Sequence, residues 1–246
     1  VLNTSIQKTF IFLIAFFLFF AHSIVNAQAD ILEDFSGFSG SKFSDDHWKS
    51  RNGDPSKVYS FLTEDKNVFM RGHDHGNSVQ LFRKKGWKIS DNPVLSWKWR
   101  VIEFPKNSNI EKIKNDSAVG IYVVFPARWF VPEAIKYVWS EKMETGTVIR
   151  KKENFPTMVI RSGNSGKGKW VLEQRDVLAD YEKLFKRRPS DPVAFGFLTD
   201  SNNTSSESIG DYDDFIVLPK IKSQPSTEAS NPVKTESVKK AEPVKK

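Results

Sequence analysis

The chain has no cysteine among its 246 residues. That excludes disulfides, thiolate zinc sites, a cysteine nucleophile and a lipid-modified cysteine anchor. Histidine is scarce too, with four residues at positions 22, 47, 73 and 75. A Ser–His–Asp triad would have to use His47, His73 or His75, and no GxSxG elbow accompanies them. Neither HExxH nor ExDxxE occurs. The folded part also lacks a strong charge of one sign. Of the formal +7, four charges belong to Pro219–Lys246 and one to the first 27 residues, which leaves +2 for everything between. The basicity is that of a tail and not of a groove, so nucleic acid is not an expected partner.

The longest apolar run is short. Phe10–Ala21 is 12 residues, against about 20 for a membrane span. Lys8 precedes it, and a polar stretch ending Val25-Asn26-Ala27 follows. This is the pattern of an export signal cleaved after Ala27, so residues 1–27 are read as a signal peptide. No integral span is expected after cleavage, and the mature protein is expected in the periplasm or secreted. Pro219–Lys246 is rich in Pro, Lys, Ser and Glu with almost no bulky side chains, so it should stay disordered. The domain is then 28–218.

Aromatic residues are abundant: 20 Phe, seven Trp and five Tyr. In Pro93–Glu103 (PVLSWKWRVIE), Leu95, Trp97, Trp99 and Val101 alternate with Ser96, Lys98 and Arg100. A period of two makes a strand with one apolar and one polar face. Two indoles bury roughly 150–250 Å² each and need a second layer to cover them. Ala118–Phe125 (AVGIYVVF) is a continuous apolar run, as in a strand covered on both faces. Shorter strands are expected at 58–62, 68–71, 79–82, 135–139, 157–161, 169–175, 193–199 and 212–218. Turn residues at Asp65-Lys66-Asn67 and His73–Asn77 join some of them. Ala127–Glu133 reads as a loop and Ser162–Gly168 as a loose hairpin connection. Asp176–Lys186 is the one helix, capped by Asp176. About ten strands, one helix and no βα alternation predict an all-β fold, a two-sheet antiparallel β-sandwich of jelly-roll type. Its core should hold Trp97, Trp99, Ile121, Val123, Trp139, Ile160 and Phe197.

Four patterns bear on function. Gly163–Lys169 matches GxxxxGK, but Trp170 stands where a phosphate loop needs Ser or Thr, and a strand follows instead of a helix. His73 and His75 flank Asp74; two imidazoles on one side of a strand make a weak metal site, and a surface turn is the simpler reading. Asp200 and Asn202 in one segment, with Asp211 and Asp213 in another, offer hard oxygen donors of the kind calcium takes. If the last two strands form a hairpin these would meet, so a structural calcium is the cofactor expectation. Finally, Lys98, Arg100, Lys136, Arg161, Glu173 and Arg175 sit opposite apolar positions, and Lys98, Arg100, Arg161, Glu173 and Arg175 are the expected ligand residues among them. On one sheet they would form a polar face able to grip sugar hydroxyls or carboxylates, with Trp129 on a loop to stack on a sugar ring. The competing reading is a cross-strand ladder of ion pairs.

Several segments taken together, LSWKWRVIE, DSAVGIYVVF, AIKYVWS, MVIRSG, WVLEQRDVLADY and FLTDSNNTSSESIGDYDDF, resemble the bacterial exported proteins grouped as domain of unknown function 3047. The resemblance covers Ile31–Leu218. It implies an exported β-sandwich and no established activity. Gly120 stands where the family pattern has Arg, Phe185-Lys186-Arg187 replaces an FGE-like helix end, and Asn202 and Ser205 alter a DNTG-like loop. The function expected is non-catalytic binding of a glycan or another polar envelope polymer. The alternatives are a polysaccharide hydrolase or lyase using Glu173 with an Asp of the 200 or 211–214 segments, and an envelope adaptor using the basic tail.

Overall fold

The computed structural model describes residues 28–38, 48–108, 116–128 and 130–220. The segment expected to be an export signal, most of the basic tail, His47 and Trp129 lie outside these residues. Among the described residues thirteen strands form two sheets. They are β1 (Asp30–Glu33), β2 (Trp48–Arg51), β3 (Tyr59–Glu64), β4 (Asn67–Asp74), β5 (Gln80–Arg83), β6 (Val94–Glu103), β7 (Gly120–Arg128), β8 (Val131–Ser140), β9 (Val148–Ile149), β10 (Thr157–Ser162), β11 (Val171–Asp176), β12 (Ala194–Leu198) and β13 (Ser208–Leu218). A helix, α1 (Val177–Phe185), follows β11 directly. The six-stranded sheet runs β11-β6-β13-β4-β3, with β1 also on β13; the seven-stranded sheet runs β2-β5-β12-β7-β8-β10-β9. All pairings are antiparallel except β8 with β10. This is the two-sheet β-sandwich that the alternating pattern predicts.

The period-two reading of β6 holds residue by residue. Leu95, Trp97, Trp99 and Val101 are fully buried, while Lys98 and Arg100 point to the other face. Trp97 meets Trp99 edge-on at 5.4 Å and Tyr137 of the opposite sheet at 5.8 Å, and Trp99 meets Trp139 at 6.2 Å. Deeper in the sandwich, Phe197 packs on Phe215 at 4.9 Å and on Tyr212 at 5.1 Å. Stacked and edge-on rings of this kind add to what area burial alone supplies. Of the expected core, only Ile160 is partly exposed. The β3–β4 hairpin turns through Asp65 and Lys66, both at positive φ (48° and 68°), as the tight twist of a two-residue hairpin requires. Asp176 caps α1 by accepting from Ala179 N at 2.9 Å. Val177, Tyr181 and Leu184 bury the helix's inner face.

Three connections differ from expectation. β10 and β11 are no hairpin: they belong to different sheets, and Ser162–Gly168 carries the chain across the sandwich. β12 and β13 likewise lie in different sheets, so the two acidic segments are not brought together by a hairpin. Both strands of each pair are amphipathic or apolar, and periodicity alone does not say which sheet a strand joins. The loop expected at Ala127–Glu133 shrinks to a tight turn between β7 and β8, with Arg128 opposite Val131.

Candidate functional site

The outer face of the six-stranded sheet carries the expected charges, and it closes them on one another. Arg100 Nε donates to Asp211 at 2.7 Å, and its Nη1 lies 2.9 Å from Glu64. Arg71 grips the same Asp211 through two bonds, 2.6 and 2.9 Å. Asp211 is fully buried between them. The Arg100 guanidinium also lies 4.5 Å from the Trp170 ring centre and 5.2 Å from that of Phe69. Lys98 pairs with Asp214 at 2.6 Å, and Asp213 accepts from Asn67 Nδ2 at 2.7 Å.

Glu173 and Arg175 are not on this face. β11 pairs Glu173 with Trp97 and Arg175 with Leu95, so both point inward with those residues. Arg161 joins them because a bulge in β10 between Val159 and Arg161 turns it toward Trp139. At this open edge of the sandwich Trp99 Nε1 donates to Glu173 Oε1 at 3.2 Å, and Glu173 also accepts from Arg161. Arg175 donates to Asp180 at 2.5 and 2.9 Å, and Tyr137 OH donates to the same carboxylate at 2.9 Å. The expectation of one polar surface shared by Lys98, Arg100, Arg161, Glu173 and Arg175 is therefore corrected by the register: two face outward and three tie the sheets together. The calcium expectation meets the same geometry. Asp211 and Asp213 sit among these cation and amide donors, while Asp200 and Asn202 follow β12 in the other sheet.

The outer face of the seven-stranded sheet is different. A groove of about 580 Å³ crosses it. Phe82, Tyr122, Val124, Ala134, Lys136, Thr157, Ala194 and Leu198 form its floor, because alternate residues of β5, β12, β7, β8 and β10 point outward. One wall holds Arg51, Ser78, Asp200 and Asn202; the other holds Lys151, Lys152 and Phe155. The second wall is fixed to β8: Ala134 N donates to Asn154 O and Lys136 N to Pro156 O, both at 3.0 Å. The opposite wall is pinned by Asp116, whose carboxylate accepts from the backbone N–H groups and side chains of Asn203 and Thr204.

Lys136 is the centre of this groove. It is 8% exposed. Its Nζ lies 5.6 Å from the Tyr122 ring centre. Among the described residues no carboxylate lies within ion-pair distance of it and no side-chain hydrogen bond is made by it. Burial lowers its pKa from the usual 10.5, against the pull of Asp200 and Asp116, and Lys151 lowers it further. Asp200 is 3% exposed, and burial raises its pKa despite Lys136 and the hydroxyl of Ser78. A Cβ on Gly120 would come within 2.9 Å of Lys136 Cε and 3.3 Å of Leu198 O. Glycine at this position makes the room in which the lysine stem lies. Four cationic side chains, Arg51, Lys136, Lys151 and Lys152, line the groove against the single carboxylate of Asp200.

Asp200 and Asn202 are the predicted site residues that the groove contains. Lys136 counts among the polar strand positions of the sequence but not among the expected ligand residues. The expectation that Ala118–Phe125 is covered on both faces is corrected here, since its outward residues Tyr122 and Val124 are only partly buried and line the groove.

Fold and groove together define a β-sandwich protein with a recessed, net cationic outer face. The chain belongs to the family described as protein of unknown function (DUF3047), whose model matches residues 46–216. No curated protein matches it. Among solved structures it is similar to the family 11 carbohydrate-binding module of a cellulosomal cellulase of Clostridium thermocellum, at 9% identity and TM-score 0.40, covering 78% of this chain and 95% of that one. It is also similar to the family 11 xylanase of Neocallimastix patriciarum, at 7% identity and TM-score 0.26, covering 70% and 99%.

Proposed function

We propose that this protein is an exported, non-catalytic binding module, and that its ligand is an acidic glycan or a comparable anionic envelope polymer seated in the groove of the seven-stranded sheet. The observation that carries this reading is Lys136: a lysine only 8% exposed that lines the groove, with no carboxylate within ion-pair distance among the described residues. Burying an unpaired charge is costly, so the arrangement makes sense where a ligand anion completes it. The groove falls in the size range of small-ligand sites, and sugar rings suit its mixture of aromatic walls and polar groups. Glycosidic hydrolysis needs two carboxyl groups roughly 5–10 Å apart. Asp200 is the one carboxylate lining the groove among the described residues, and Asp116 behind it is committed to four donors. This supports binding over hydrolysis.

The test is affinity electrophoresis of the chain in gels cast with neutral, uronic-acid and phosphate-bearing polysaccharides, with product analysis on any polymer that retards it. Retardation by an acidic polymer, without new chain ends and lost in Lys136→Met, is the expected result. Retardation by neutral polymers alone, cleavage of the polymer, or equal retardation of the variant overturns the reading.

A further inference from the structure

A second site lies on the opposite side of the molecule from the groove, on the outer face of the six-stranded sheet where β4 ends and β13 begins. We infer that His73, His75 and Glu207 together form a binding site for a divalent transition-metal ion of the zinc type. The sequence shows only His73-Asp74-His75, two imidazoles two residues apart. The fold supplies the third donor. β13 pairs antiparallel with β4, with Ile209 opposite His73 and Ser208 opposite Asp74. The pairing ends at Ser208 and Asp74, and continuing its register by one residue sets Glu207 against His75, whose side chains lie 3.8 Å apart. Residues directly opposite in an antiparallel pair share a face, as do residues two apart on one strand. All three side chains therefore leave the same side of the sheet.

The distances agree. His73 Nε2 lies 2.6 Å from Glu207 Oε1, and His75 Nε2 lies 3.8 Å from the same oxygen. The two imidazole rings are 4.3 Å apart. One donor atom from each residue falls within 4.8 Å of the other two, and among the described residues this is the only group of three or more His, Asp or Glu that does so. Zinc bonds to His nitrogen and carboxylate oxygen are about 2.0–2.2 Å long, which puts tetrahedral donors about 3.4 Å apart. The cluster spans that spacing, and an ion requires only a shift of the His73–Glu207 contact by less than about 1 Å. Nitrogen donors with one carboxylate select zinc and its transition-metal neighbours over calcium or magnesium, which take oxygen.

The backbone holding the donors is fixed before any ion arrives. His73 N donates to Val58 O at 2.7 Å. The Asp74 carboxylate accepts from Gly76 N, Asn77 N, Ser201 N and Ser201 Oγ, at 2.6 to 3.0 Å, which locks the turn carrying His75. Preorganisation of this kind lowers the ordering cost of binding. The three side chains are 42%, 60% and 45% exposed. The remaining coordination positions face solvent, where water or a donor from a partner molecule completes the sphere. An ion here clips the end of β4 to the start of β13.

The alternative is an ordinary His–Glu hydrogen bond on the surface. Titration calorimetry of the untagged, chelator-treated full chain with zinc alone separates the two. One equivalent bound in the micromolar range is expected, weakened at least tenfold in His73→Ala and in Glu207→Gln and unchanged in His47→Ala. Cobalt as a second probe should show the intense visible bands of four- or five-coordination, absent from the His75→Ala protein. The variants should keep the wild-type melting temperature without metal, since their side chains are exposed. No saturable zinc binding, binding indifferent to His73 and Glu207, or equal binding of calcium overturns the inference. None of these results depends on the groove.

Discussion

The two outer faces of this sandwich carry similar residue types and treat them in opposite ways. On the six-stranded sheet, Arg71, Arg100 and Asp211 form a closed set, with Asp211 fully buried and both guanidinium groups bonded to it. On the seven-stranded sheet, Lys136 is 8% exposed and has no such partner among the described residues. A charge answered within the chain is part of the fold. A buried charge left unanswered at the floor of a groove is a place for something else. Counting charged residues on strand faces does not distinguish the two; their pairing does.

The strongest way to break this comparison is to remove one partner on each face. Asp211→Ala leaves two arginines without their common acceptor, one of them only 11% exposed. Breaking a buried pair from one side costs about 3–5 kcal/mol. Thermal unfolding should fall by about 10 °C for a domain of this size. Lys136→Met removes a charge with no direct ion-pair partner among the described residues, and keeps a side chain of similar length. Its stability should match the wild type or exceed it by about 1 kcal/mol. If Lys136→Met proves as damaging as Asp211→Ala, the lysine is a structural group and the contrast between the faces is lost.

Gly120 sharpens the same point on a smaller scale. An added methyl at Gly120 would crowd Lys136 Cε at 2.9 Å and the Leu198 carbonyl at 3.3 Å. Overpacking of this order costs about 1–3 kcal/mol, and the flexible lysine stem can yield part of it. Gly120→Ala should thus destabilise by about 1 kcal/mol while weakening anion binding several-fold, because the ammonium is displaced. Denaturant titration and gel retardation read the two effects separately. Lost stability with unchanged retardation would show that the exact seat of Lys136 is immaterial to the ligand.

Much of the fold was legible in the sequence because strand alternation is a local property. β6 was readable from LSWKWRV, and the cap of α1 from Asp176 before an apolar spacing. The assignment of strands to sheets was not legible. Ser162–Gly168 has the glycines of a hairpin and instead crosses the sandwich. The site suffered for the same reason. Glu173 alternates with Leu172, which suggests an outward carboxylate. β11 is an edge strand, however, and there the inward position lies at the open rim, where Arg161 and Trp99 receive it. Leu172 is the exposed one. The value of Lys136 was invisible for a related reason: its burial comes from the segment at 150–157 and the loop after β12, both distant in sequence.

The least drastic test lies within the face whose charges are closed. Asp213 is its exception: burial raises its pKa to about 6, although Asn67 donates to it and Lys98 is near. A carboxyl whose folded pKa exceeds its unfolded value binds more protons in the native state, so its contribution to stability is full below about 4 and is lost as pH rises through about 6. With solvent screening the loss is on the order of 1 kcal/mol. Asp213→Asn keeps the shape and cannot ionise, so its stability should stay level across that window while the wild type declines. Denaturant unfolding at pH 4, 5, 6 and 7 measures it. A wild-type curve parallel to the variant's would mean that Asp213 is held as a carboxylate by Lys98 and Asn67, and that this face balances every one of its charges.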